Sequence, residues 1–161
     1  MNRPSRETSM SLSMTRRERE RFLAGVHVGV LGVADTRGGP TTAPLLVPVW
    51  YVYEPGAEVI LQTGRDTAKA RLIRAAGRVS LCVQDERPPY RYVSVEGPVV
   101  EEQDPADAAA RSAAAHHYLP EGEAEAYLRA TQDQLADDVT FRMCPQRWRT
   151  ADFTAFAAAF S

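Results

Sequence analysis

The stretch LQTGRDTAKARLIRAAGRVSLCV, residues 61–83, decides how the chain folds. It begins at the end of an apolar segment, EVILQT (58–63), crosses a loop of small polar residues, and enters a helical pattern from Thr67 to Ala76 with Ala70, Ile73 and Ala76 on one side. Gly77 stops that pattern. RVSLCVQDE (78–86) then alternates Val79, Leu81 and Val83 against Ser80, Cys82 and Gln84, the period of a half-buried strand. A strand, one short helix and another strand leave too little helix for a parallel βαβ sheet.

The flanks carry the same theme. HVGVLGVAD (27–35) is valine-rich and reads as a strand. After the turn at Gly38 and Gly39, TTAPLLVPVWYVYE (41–54) resumes as a strand containing Pro44 and Pro48. Neither proline can donate to a ladder, so those positions must face an edge, a bulge or a ligand. Pro55 and Gly56 turn the chain into EVILQT. YVSVEGPVV (92–100) alternates Val93, Val95, Gly97 and Val99 against polar neighbours, and VTFRMCP (139–145) reads as the last long strand. Thr15 and Glu18 have capping-box spacing ahead of a helix over Arg16 to Leu23. DPADAAARSAAAHHYL and PEGEAEAYLRATQDQL predict two helices joined near Leu119 and Pro120, the first capped at Asp104, and a short helix closes the chain from Asp152. The reading is a mainly β (α+β) domain: about six antiparallel strands in a barrel with flanking helices.

The 161 residues suit one domain, taken as 15–161 behind a polar tail, MNRPSRETSMSLSM, at 1–14. A net charge of −2 supplies no field to draw the chain onto nucleic acid or an anionic membrane. No apolar run reaches the roughly 18–20 residues of a membrane span, and the first residues lack the centre of a secretory signal, so a cytoplasmic protein is expected. Cys82 and Cys144 show no metal-ligand spacing and read as buried free thiols.

Chemistry concentrates in the loop Thr63-Gly64-Arg65-Asp66-Thr67. A helix N-terminus offers unpaired N–H groups and partial positive charge, which suits a phosphate. Lys69 in the first turn and Arg65 from the loop can reach the same anion. A solvated, capped helix accounts for the spacing equally well, and Asp66 as cap would put a carboxylate where the phosphate belongs, whereas Thr67 as cap lets it turn away. Elsewhere, adjacent His116 and His117 cannot share a metal on one helix face, and lone His27 reads as a strand-edge residue. Glu121, Glu123 and Glu125 read as a solvated face, and no nucleophile motif supports hydrolysis.

VPVWYVY, the hairpin, LQTGRDTAKARLIRAAGRVSLCV and YRYVSVEGPVV, taken in order over Phe22 to Glu101, resemble the pyridoxamine-5'-phosphate-oxidase-like family of flavin-binding split barrels, and FRMCPQRWRTADF is similar to the family's ending. The resemblance implies a six-stranded antiparallel split β-barrel acting as a homodimer, with the cofactor between subunits. It implies that Val47, Pro48 and Val49 lie along the flavin ring with Trp50 behind, that Gln62 and Thr63 end the third strand beside the cofactor, that Lys69 holds the ribityl phosphate, that Tyr92 faces the ring, and that Trp148 and Arg149 reach the partner's cofactor. FMN is the implied cofactor, and the chemistry is hydride transfer to or from a small organic substrate. Ala68 stands where the family's oxidase branch carries an arginine, which counts against true pyridoxamine phosphate oxidation. Lys69, Arg71, Arg74 and Arg78 are similar to the branch that uses FMN or an 8-hydroxy-5-deazaflavin coenzyme, whose polyglutamate tail a basic rim would suit. Two other readings stay open: a non-catalytic carrier of flavin or haem on the same barrel, and a small nucleic-acid-binding barrel using these basic residues with Tyr90 and Tyr92. The net charge counts against the second.

Overall fold

A computed structural model describes residues 11–159. Helix α1 (Arg16–Leu23) starts with the expected capping box: Thr15 Oγ1 accepts from Glu18 N, and Glu18 Oε2 accepts from Thr15 N at 2.7 Å. It buries Phe22 and Leu23. Of the residues read as a tail, 1–10 lie outside the described residues, while Leu12 O accepts from Asp152 N and Met14 N donates to Thr150 Oγ1 at 2.9 Å.

Among the described residues eight strand segments follow: β1 (Gly29–Val33), β2 (Leu45–Val49), β3 (Val52–Tyr53), β4 (Val59–Gly64), β5 (Arg78–Gln84), β6 (Arg91–Gln103), β7 (Asp138–Met143) and β8 (Arg147–Asp152). All pairings are antiparallel in the order β2-β1-β5-β6-β7-β4-β3, with β8 also on β6. The ends of that order, β2 and β3, are one chain interrupted at Trp50 and Tyr51, so the sheet curls into a split barrel. Strand β6 serves both halves, pairing β5 through residues 92–98 and β7 through 99–103 across a register shift. The six expected strands become eight segments because the one read at 41–54 breaks after Val49 and because an eighth, β8, follows the strand read at 139–145. RWRTAD, which no alternation of apolar residues marks, forms β8 by pairing with β6.

Inward residues of β5 and β6 meet Leu31, Tyr51, Leu61 and Phe141 in the core, each buried side chain contributing about 1.5–3 kcal/mol over exposure. Gly97 marks the tightest crossing: a Cβ there would lie 1.8 Å from Cys144 O. Both cysteines are free and half-buried rather than buried.

Helix α2 (Ala68–Ala76) sits between β4 and β5 and ends at Gly77 with φ of 64°, a conformation glycine adopts without strain. Helices α3 (Ala108–Tyr118) and α4 (Glu121–Ala130) form a hairpin, and α3 packs on β3. The cap of α3 is Asp107, not Asp104; its carboxylate accepts from Ala109 N at 2.9 Å and from Arg142. A 3-10 turn (Gln132–Ala136) leads to β7, and α5 (Thr154–Ala158) follows β8.

Candidate functional site

Thr67 caps α2. Its hydroxyl accepts from Ala70 N at 3.1 Å, donates to Gly64 O at 2.9 Å and lies 3.2 Å from Thr63 Oγ1. Asp66 is thereby outside the cap, exposed, with its carbonyl engaged by Arg71. Thr63 and Thr67 rigidify the turn that aims the first residues of α2, including Lys69, toward β2 and β4.

A cavity of about 260 Å³ opens there. Pro48, Val49 and Trp50 at the end of β2 form one wall, with Gln62 of β4, Lys69 of α2, Arg111 of α3, Tyr127 of α4 and Asp138 of β7 around the rest. Residues from seven elements, Val52 of β3 included, converge on one space, and five of those singled out in the sequence are among them.

Lys69 is the unusual charge. It is half-buried, and among the described residues it makes no hydrogen bond or ion pair, so burial alone pushes its ammonium pKa down. Arg111 is buried and tied to Asp138, to Thr131 O at 3.0 Å and, at 3.4 Å, to Gln62 Oε1. Gln62 Nε2 donates to Asp107 O at 2.7 Å and to Thr140 Oγ1 at 2.9 Å, which locks its amide against the floor. Two cations and one carboxylate line the cavity, leaving it positive.

The apolar wall is braced from behind. Trp50 stacks on Tyr118 with centroids 4.9 Å apart and planes at 9°, and Tyr127 meets it at 5.6 Å. The Tyr118 hydroxyl accepts from Tyr51 N at 3.2 Å and donates to His27 O at 2.7 Å, satisfying the backbone where β2 breaks into β3. Tyr51 buries its own hydroxyl, which donates to Leu23 O at 2.6 Å, and burial pushes its pKa far up.

The remaining sequence candidates lie elsewhere. Val47 turns toward the core opposite Leu31. Arg65 does not face the cavity: Nε donates to Asp104 Oδ2 at 2.7 Å and Nη2 to Ala136 O at 2.7 Å. Tyr92 is exposed on the outer face of β6, beside Gln84 and Ala151 in register. Trp148 turns inward, its ring edge-on to Tyr53 and beneath the Arg19 guanidinium at 4.6 Å. Arg149 is exposed, 3.6 Å from Glu96. Of the basic rim, Arg74 is held by Glu102 and Arg78 reaches Gln146. His27 lies tilted against Phe22 with centroids 4.5 Å apart, and burial lowers its pKa; His117 contacts Gly25 O and His116 contacts Glu125. No three-residue metal cluster occurs among the described residues, and no helix there is long and apolar enough to cross a membrane.

Arg111, Tyr118, Tyr127 and Asp138 were not singled out in the sequence. The available signal was faint: Arg111 is the lone cation in AAARSAAA, and the two tyrosines punctuate otherwise Ala- and Glu-rich helices.

The model of the pyridoxamine 5'-phosphate oxidase family matches residues 15–150. The chain belongs to this family. Solved structures share the fold at low identity: an F420 reductase (22% identity, TM-score 0.57, covering 81% of this chain and 94% of that one) and a conserved hypothetical protein of Mycobacterium tuberculosis (23%, 0.67, 91% and 89%). An FAD-binding protein of Mesorhizobium loti is similar too (20%, 0.55, 85% and 94%). No curated protein matches the sequence. Six strand regions, the single helix α2 and the ordering of its flanks thus carry a family fold, as the resemblance implied.

Proposed function

We propose that this family member binds FMN, with the phosphate at Lys69 and the ring along β2, and acts as a flavin-dependent oxidoreductase. The observation that carries this is the half-buried Lys69 ammonium, which faces the cavity without a partner among the described residues. An uncompensated cation there costs folding free energy, and an anionic ligand offsets it. Ligand pockets commonly span about 300–1,000 Å³. At about 260 Å³ the cavity suits the phosphate and ribityl portion, with the ring extending past Pro48 along the unpaired edge of β2. Pro48 lacks an N–H that a neighbouring strand would require, which fits an edge that meets a planar ligand instead.

A bound flavin supplies hydride transfer. The chain's own part is binding and orientation: Lys69 neutralises the phosphate, Pro48, Val49 and Trp50 hold a flat apolar surface, and Tyr118 fixes that surface from behind. The substrate is a small organic molecule. An 8-hydroxy-5-deazaflavin coenzyme is the second reading, supported by the F420 reductase likeness and by Arg71 and Arg78 near α2.

The functional unit in this reading is a homodimer. The outer face of β2, β1, β5 and β6 presents Leu46, Pro48, Val30, Ser80, Cys82 and Ser94, a concave surface with Asp85 and Glu86 on its lining that a second protomer would cover. Arg149, exposed beside Glu96, is the C-terminal residue best placed to approach a partner's cofactor.

Purified protein titrated with FMN and with the deazaflavin, then mixed with reduced nicotinamide donors and a panel of small oxidants, tests the assignment. Bound, reducible cofactor with turnover supports it; bound cofactor that no donor reduces indicates a carrier, and no binding refutes it. Sedimentation equilibrium checks the dimer, and a monomer at all concentrations contradicts that part.

A further inference from the structure

Arg111 is the buried charge that the flavin reading leaves without a role toward ligand. A guanidinium carries five N–H donors. Three are used here, on Asp138 Oδ2, Thr131 O and, at the 3.4 Å limit, Gln62 Oε1. The remaining two have no acceptor among the described residues, although the side chain is only 6% exposed. Arg111 lines the same cavity as Lys69, and Asp138, the one carboxylate on its lining among the described residues, cannot neutralise both cations. Arg65, which the sequence offered as the second cation, is occupied by Asp104 and Ala136 O.

We infer that Arg111 is a second phosphate-binding residue, and that Asp138 is a resident counter-anion holding the guanidinium in the cavity and competing with the phosphate for it. A planar fork beside a point cation suits the several oxygens of a terminal phosphate. Helix α3 then gives the site its selectivity for a phosphorylated over an unphosphorylated ligand. The identity of that ligand as FMN rests on the flavin reading above.

Titration of the full chain with FMN, with riboflavin and with inorganic phosphate as competitor separates the roles. Arg111→Gln is expected to weaken FMN about ten- to hundredfold and to leave riboflavin within about twofold. Asp138→Asn is expected to tighten FMN while riboflavin stays constant. Equal losses for FMN and riboflavin in Arg111→Gln, with no FMN gain in Asp138→Asn, would make Arg111 a strut and overturn the inference with the flavin reading intact. Binding of neither flavin by the unaltered protein, together with phosphate binding that Arg111→Gln abolishes, would overturn the flavin reading and support the two-cation seat. Binding of neither flavin nor phosphate overturns both. If a single variant does not fold, Arg111→Lys and the double variant Arg111→Gln/Asp138→Asn carry the test: loss confined to FMN supports the inference, and equal loss for both flavins overturns it.

Discussion

Replacing Lys69 with methionine is expected to move two quantities in opposite directions. Methionine keeps an unbranched stem of similar reach and removes the charge. In the ligand-free protein the half-buried ammonium has no partner among the described residues, and burial lowers its pKa below the ordinary 10.5. Between the folded value and 10.5 the unfolded chain holds more protons than the native one, so native stability rises with pH through that window. Below the window the full penalty of burying the charged form remains. The variant has neither penalty nor rise. It is therefore more stable than the parent near neutrality, and the gap closes as pH climbs toward the ordinary lysine value. Toward FMN the sign reverses: loss of a charge-assisted hydrogen bond removes about 1.5–3 kcal/mol, or about 12- to 150-fold in affinity. Urea denaturation of ligand-free protein at neutral and alkaline pH reads the first effect, and parallel FMN and riboflavin titrations read the second. Unchanged FMN affinity, or a variant less stable than the parent at neutrality, refutes the reasoning.

Three further outcomes follow from the geometry. Arg65→Ala leaves FMN affinity within about twofold and costs under about 1 kcal/mol in urea denaturation, because its exposed partners are Asp104 and Ala136 O; a tenfold affinity loss would return Arg65 to the site. Tyr118→Phe keeps the stack on Trp50 and removes the hydroxyl between Tyr51 N and His27 O, destabilising the protein by about 1–3 kcal/mol by the same assay. Gly97→Ala places a methyl against Cys144 O and costs about 3 kcal/mol or more, read as loss of soluble folded protein or a steep fall in Tm.

Features set by local chemistry were readable before the structure. Thr15 with Glu18, Thr67 with Gly77, and the alternations in RVSLCVQ and YVSVEGPVV each depend on residues within one element, and α1, α2, β5 and β6 lie where those patterns put them. Features set by distant partners were not. Asp104 looked like a helix cap, but Arg65, thirty-nine positions earlier, takes its carboxylate, and Asp107 caps α3. Strand β8 exists because β6 offers it a ladder, and the break at Trp50 exists because Tyr118 satisfies Tyr51 N. The site divides the same way: Pro48, Val49, Trp50, Gln62 and Lys69 belong to contiguous motifs, whereas Arg111 and Tyr127 join them only through the fold of the α3–α4 hairpin and Asp138 through the pairing of β7 with β4.

A structure of the protein with FMN bound tests the central claim most directly. The account predicts the phosphate within hydrogen-bond reach of Lys69 Nζ in the cavity between β2, β4 and α3, with the ring running along Val47 to Val49. FMN seated elsewhere, as in the cleft beside Arg19 and Trp148, with Lys69 still unpartnered, would contradict it.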